Sequence, residues 1–207
     1  MLTSMGDLMR QAHKLGLITT RDGNISVRRG NKFYITPSGV RKTIIHPEHI
    51  LKAIVEPDNS LRFVRGTGKP SGELEMHRLL QTTNDFRGCR AVVHLHPTYT
   101  VAALEAGWNL QDIASRLQEL SRFTKVAPNV RKLPVTSNIL AVETYQAMTE
   151  IPKYTIGTIL KYDIVGQAGH GVTSIGQSPW DAFEHIERLE HACQIILASG
   201  VKPDVKD

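Results

Sequence analysis

The sequence predicts an α/β protein that contains an antiparallel sheet. Three observations predict it. Apolar residues at Leu2, Met5, Leu8, Met9, Ala12 and Leu15 fall at helical spacing with mostly polar residues opposite. Two alternating segments joined by Gly30-Asn31 read as a hairpin, and a long amphipathic stretch near the C-terminus places Phe183, Ile186, Leu189, Cys193, Ile196 and Leu197 on one face. At 207 residues and 41% hydrophobic content the chain can bury a sizeable core, and one domain spanning 1–207 is the simplest division.

The first helix runs into the turn-rich loop Thr19–Asn24. Ile25 and Val27 then alternate with Ser26 and Arg28, and Gly30-Asn31 turns the chain into Lys32–Thr36. Thr36-Pro37-Ser38-Gly39 is a second tight turn, and Leu51–Val55 and Leu61–Val64 read as short strands around Pro57-Asp58-Asn59. From Ser71, read as an N-cap, the period becomes helical, with Met76, Leu79 and Leu80 on one side. Cys89–Val93 follows Asn84-Asp85 as a short buried strand closed by His94-Leu95-His96. Pro97 predicts a helix over Thr98–Ala106, and weaker patterns predict a helix over Leu110–Leu120, a strand near Arg131–Pro134 and a helix over Val142–Met148. Tyr162–Gln167 and Val172–Ile175 read as strands. The last helix starts at Ser178-Pro179-Trp180-Asp181, and Gly200 ends it.

Charges interrupt every apolar stretch well short of the roughly 20 residues a membrane span needs. Met1–Gly16 carries Asp7, Arg10, His13 and Lys14 instead of an apolar signal core, so a cytoplasmic protein with no membrane partner is expected. Cys89 and Cys193 lie in apolar segments and read as buried reduced thiols. The formal charge of +5 favours an anionic partner. Arg28-Arg29 and Arg41-Lys42 have no aromatic platform between them and read as solvated basic surface, so a small anionic substrate is expected and nucleic acid is not.

The chemistry centres on His94-Leu95-His96. On a strand the period of two points both imidazoles to one face, which makes half a metal site, although paired histidines are also found simply packed or exposed. A third neutral nitrogen would close a tripod with an open position, the arrangement in which zinc acts as a Lewis acid. His170, between Gly169 and Gly171, is a candidate or else a plain loop residue. His185 and His191, six positions apart, read as surface residues. Glu73, in the first turn of its helix, either complements the helix dipole with Glu75 or serves as a base beside a metal; His77, one turn on, either orients it or is packed. The turns Gly23-Asn24, Ser38-Gly39 and Ser71-Gly72 offer N–H groups or hydroxyls to an anion, or are ordinary turns. Gly66–Ser71 lacks Walker spacing and is interrupted by Pro70, which excludes a nucleotide loop.

Taken in order, Gly23-Asn24-Ile25-Ser26, Thr36-Pro37-Ser38-Gly39, Lys69-Pro70-Ser71-Gly72-Glu73, His94-Leu95-His96 and Gly169-His170-Gly171 resemble the class II aldolase/adducin family over about Leu8–Ala198. The resemblance implies a three-layer α/β/α fold with a central, mostly antiparallel sheet, and a cyclic homotetramer with active sites between subunits. It implies Zn2+, or another divalent metal, on His94, His96 and His170, with Glu73 as the base. Gly23, Asn24, Ser38, Gly39, Ser71 and Gly72 would cradle the phosphate of a small sugar substrate. The implied reaction is aldol or retro-aldol chemistry on a phosphorylated ketose through a metal-bound enediolate.

Two departures qualify what is implied. The fuculose-phosphate type has a second serine where this chain has Gly72. It also uses tyrosines as proton donors, and this chain has none between Tyr99 and Tyr145 and none after Tyr162. A dehydratase of the methylthioribulose-phosphate type, with a similar Gly-His-Gly context, is the alternative; decarboxylases and epimerases share the scaffold. Adducin-like interaction modules lack the histidine tripod.

Overall fold

The computed structural model describes residues 1–82, 90–134, 137–149 and 159–203. Its helices are α1 (Leu2–Lys14), α2 (Leu74–Thr82), α3 (Thr98–Glu105), α4 (Leu110–Arg116), α5 (Gln118–Phe123), α6 (Asn138–Thr149) and α7 (Pro179–Ala198). Its strands are β1 (Asn24–Arg29), β2 (Lys32–Ile35), β3 (Leu51–Val55), β4 (Leu61–Arg65), β5 (Ala91–Leu95), β6 (Ile164–Gln167) and β7 (Gly171–Gly176). The strands form one sheet in the order β4-β3-β2-β1-β5-β7-β6, and every neighbouring pair is antiparallel. The expected hairpin is β1–β2, in register from Ser26 opposite Ile35 to Arg29 opposite Lys32.

Alternation along the central strand β5 builds the layers. Ala91, Val93 and Leu95 face a core shared with Met5, Leu8 and Met9 of α1 and with Phe183, Ile186 and Leu189 of α7. Val92 faces the opposite core, where Met76, Leu79 and Leu80 of α2 meet Tyr145 and Met148 of α6. The result is the three-layer α/β/α arrangement. Each fully buried Val, Leu or Ile contributes about 1.5–3 kcal/mol, so a strand that is apolar except for His94 is driven to the middle of the sheet. His94 therefore needs polar company there.

Three boundaries differ from expectation. The helix predicted over Leu110–Leu120 is two helices, because Leu117 is extended (φ −124°, ψ 104°). The break lets both Ile113 and Leu120 reach the core. No strand forms at Arg131–Pro134; instead Val126 and Val130 make single parallel bridges to Ile164 and Gln167, since these valines are buried while Arg131 and Lys132 are exposed. α6 starts earlier than Val142, at Asn138, where the Ser137 Oγ accepts from the Leu140 N–H at 3.0 Å. Cys193 is buried and unpaired, and burial pushes its thiol up to about 12. Asn84, Asp85 and Cys89 lie outside the described residues. Among the described residues no helix is long and apolar enough to cross a membrane.

Candidate active site

Strand register assembles the site at one end of β1, β5 and β7. Asn24 pairs with His94, and His94 with Thr173. Residues opposite one another across strands share a face, so these form a polar row on the α2 side. His96 lies just past the end of β5 with the parity of His94, and their Nε2 atoms are 2.8 Å apart. His170 enters from the β6–β7 turn, with its ring centroid 4.7 Å from those of both His94 and His96.

One nitrogen from each of these rings lies within 4.8 Å of the others. Tetrahedral coordination at zinc–imidazole bond lengths needs nitrogens about 3.3 Å apart, so the grouping can hold a divalent ion with small adjustment. Burial lowers the pKa of His94 and His96, which favours the neutral ring that ligates metal. His94 is fully enclosed, His170 is 8% exposed and His96 is 27% exposed, which leaves the group open on the His96 side.

Both glycines beside His170 are needed. Gly169 has φ +71°, a left-handed conformation. A Cβ on Gly171 would lie 2.5 Å from the Leu95 carbonyl oxygen and 2.6 Å from the His96 Cδ2. The close approach of β7 to the ligand-bearing end of β5 therefore requires a residue with no side chain.

Glu73 points at the middle of the three rings. Its Oε1 accepts from the His170 Nε2 at 2.6 Å and lies 3.3 Å from the His94 Nε2, while its Oε2 accepts from the Asn24 Nδ2 at 2.6 Å. Burial raises the carboxyl pKa, but His94 and the hydrogen bonds from His170 and Asn24 outweigh it and hold the group well below the usual carboxylate range. The structure corrects its expected position, because α2 begins at Leu74. Glu73 precedes the helix and its carbonyl accepts from the His77 N–H at 3.3 Å, while Ser71 accepts from the Glu73 N–H within the entering turn.

The His77 ring reaches the Glu73 carboxylate by hydrogen bonds through Asn24. The Asn24 amide nitrogen donates to Glu73, so its oxygen faces the His77 Nε2 and accepts from it. The neutral imidazole then accepts at Nδ1 from the Ser26 hydroxyl, 2.7 Å away. The relay is directional and ends on the carboxylate. Burial pushes the His77 pKa from 6.5 down to about 4, against an opposing pull from Glu73. The unfolded chain therefore binds this proton first. Stability is complete above pH 6.5 and falls as the pH drops from 6.5 towards 4, by up to about 3 kcal/mol. Denaturant titrations across this window should show the loss, with a shallower slope in His77→Gln; equal slopes would remove His77 as its source.

A second buried chain orients His94. The Gln167 Nε2 donates to the Thr144 hydroxyl at 2.9 Å, and its Oε1 accepts from the Thr173 hydroxyl at 3.1 Å. With its proton so committed, the Thr173 oxygen accepts from the His94 Nδ1, 3.1 Å away. That fixes the tautomer whose free lone pair, on Nε2, faces the other two rings.

A cavity of about 160 Å³ opens over the histidines. Gly23, Asn24, Ser38, Gly39, Ser71, Gly72, Glu73, His96 and His170 all line it, with His94 buried behind them. A Cβ on Gly23 would come within 3.0 Å of the His94 carbonyl oxygen, so that turn too is packed against the ligand strand. Sequence reasoning missed Arg21, Asp22, Pro37 and Lys42 in the lining. Lys42 was expected on a solvated surface and is instead 2% exposed. The only signal for these residues was that they flank turns already singled out. His185 is half-buried, 2.9 Å from the Thr124 hydroxyl, and not a surface residue; His191 is exposed as expected.

A family model for the class II aldolase and adducin N-terminal domain matches residues 3–197. The chain is 27% identical over 197 residues to an L-fuculose phosphate aldolase of Methanococcus maripaludis, covering 94% of each protein. It is 24% identical over 205 residues to a methylthioribulose-1-phosphate dehydratase of Schizosaccharomyces japonicus, covering 92% of this chain and 83% of that protein. In fold it matches the crystal structure of a sugar-phosphate aldolase from Thermotoga maritima with a TM-score of 0.78 at 21% identity, over 98% of this chain and 97% of that one.

Proposed function

The chain belongs to the class II aldolase and adducin family, and from that premise we propose that it is a metal-dependent lyase acting on a small phosphorylated ketose. The observation that carries this reading is convergence: three imidazoles, the Glu73 carboxylate and three glycine-containing turns meet at one cavity. His94, His96 and His170 would hold the ion, and neutral nitrogen donors with an open side suit zinc. When bound, the ion supplies Lewis-acid polarisation of a substrate carbonyl.

The chain's own residues supply the rest. Glu73, ionised and nearly buried, accepts or returns the proton on the carbon next to that carbonyl. Asn24 and His77 hold the carboxylate in place. Gly23, Asn24, Ser38, Gly39, Ser71 and Gly72 surround the phosphate, with Ser71-Gly72 ahead of the α2 N-terminus, where the helix dipole favours an anion. In this reading the bond broken is carbon–carbon.

Loss of water is the second reading, and one observation favours it. Among the described residues no tyrosine of the same chain lines the cavity, so a phenol to protonate the group released by carbon–carbon cleavage would have to come from elsewhere. A panel of ketose 1-phosphates distinguishes the two: release of dihydroxyacetone phosphate supports the aldolase, and a dehydrated product supports the dehydratase. Metal analysis of protein purified without added metal tests the shared premise. Failure to bind any divalent ion, under any loading condition, would sink both and favour an interaction module. We extend the reading, on family membership, to a cyclic cytoplasmic homotetramer with active sites between subunits, whose subunit number light scattering tests.

The Thr173 contact gives a further expectation. Thr173→Val should weaken metal binding at least about tenfold, while Thr173→Ser keeps it, because an outer hydrogen bond sets the orientation and basicity of a ligand imidazole. Competition with a chromophoric chelator reads this directly. Unchanged affinity in Thr173→Val would show that packing alone orients His94.

A further inference from the structure

Lys42 lies in a short 3-10 turn, Lys42–Ile44, and lines the anion cradle. Its backbone N–H donates to the Thr20 carbonyl at 2.8 Å, which locks the turn against the loop carrying Gly23 and Asn24. The side chain is 2% exposed, yet its ammonium has one long hydrogen bond, 3.3 Å to the Val40 carbonyl. An ammonium offers three donors, and a buried cation without a close anionic partner is costly. Burial lowers its pKa, Asp22 on the rim attracts it and Arg21 repels it, but neither reaches it with a hydrogen bond. The fold therefore retains an undersatisfied lysine in the lining that it shares with Ser38, Gly39 and Ser71.

The surroundings fit a compact anion. Arg21 ties the same loop to the Ser38-Gly39 turn through the Gly39 carbonyl at 3.1 Å. The N–H groups of Gly39 and Gly72 make no hydrogen bond among the described residues. Gly72 brings no hydroxyl to the cradle, so neutral donors alone are fewer here.

We propose that Lys42 is the specificity-determining residue of this cradle, whose buried ammonium selects a doubly charged phosphoryl group over an uncharged hydroxymethyl group. The inference rests on the sugar-phosphate reading above. A phosphoryl dianion supplies the partner that Lys42 lacks, and the enclosed position strengthens the pairing because water does not screen it. A lysine kept for this purpose has the opposite signature from a structural one. Its removal weakens the ligand and relieves the fold.

The test is calorimetric titration of inorganic phosphate into the full chain, with and without chelator, for wild type, Lys42→Met and Arg41→Met. Arg41 is the exposed neighbour and controls for net charge. Phosphate affinity should fall at least tenfold in Lys42→Met and stay within twofold in Arg41→Met, while the Tm of phosphate-free Lys42→Met is equal to or above wild type. Affinity in Lys42→Met within twofold of wild type overturns the role of Lys42 and leaves the phosphorylated-substrate reading standing. A lowered Tm in both Lys42→Met and Lys42→Gln also overturns it, by making the lysine structural. Wild type that binds no phosphate overturns the phosphorylated-substrate reading itself.

Discussion

Glu73→Gln is expected to keep a full complement of metal and to lose turnover about a thousandfold, within the range attributed to a positioned general base. The amide matches the carboxylate in shape. Its oxygen accepts from the Asn24 amide as Oε2 does now, and its nitrogen donates to the His170 Nε2 once that ring carries its proton on Nδ1, so neither neighbour is orphaned. What disappears is basicity, and with it the group that takes the proton. Metal content by elemental analysis, measured beside turnover on a ketose phosphate, separates loss of the base from loss of the site. A Glu73→Gln protein of near wild-type activity would remove Glu73 as the base.

Gly171→Ala should cripple the metal centre without touching a ligand. The added methyl meets a backbone oxygen at 2.5 Å and an imidazole carbon at 2.6 Å, and neither is the free end of a flexible chain. β7 pairs with β5 immediately beyond, at Val172 opposite Leu95, so relief must come from lifting the strand start and turning His96. Overpacking of this kind costs about 1–3 kcal/mol, and a displacement near 1 Å among ligands should weaken metal binding by about a hundredfold or more. Gly30→Ala controls for destabilisation away from the ligands, since a Cβ there is strained by the φ of +58° but meets nothing within 4 Å. Wild-type metal affinity in Gly171→Ala would show that this end of the sheet is looser than its packing indicates.

The sequence made the sheet and the site readable where the information is local. Alternation at Ile25–Arg28 and Lys32–Ile35 with a two-residue turn specifies β1–β2, and the spacing from Phe183 to Ile196 specifies α7. His94 and His96 share a side because a strand alternates. What escaped detection depends on distant segments. Lys42 is buried in a turn that hydrogen-bonds to Thr20, and a basic pair carries no trace of that contact. His77 reaches Asn24 across 53 positions, so its link to Glu73 appears only when α2 lies over β1. Val126 and Val130 each bridge a single residue, and one bridge has no period to detect. Leu117 breaks a regular apolar pattern because two short helices fit the core better than one straight rod.

The position of β5, hydrogen-bonded to β1 on one side and β7 on the other, assigns different clocks to the two halves of the site. Amide protons of a doubly paired central strand exchange with solvent only when the whole molecule opens, whereas loop amides such as those of Gly39 and Gly72 exchange through small local excursions. The His94 amide thus belongs to the slow class and the amides of the anion-binding turns to the fast one.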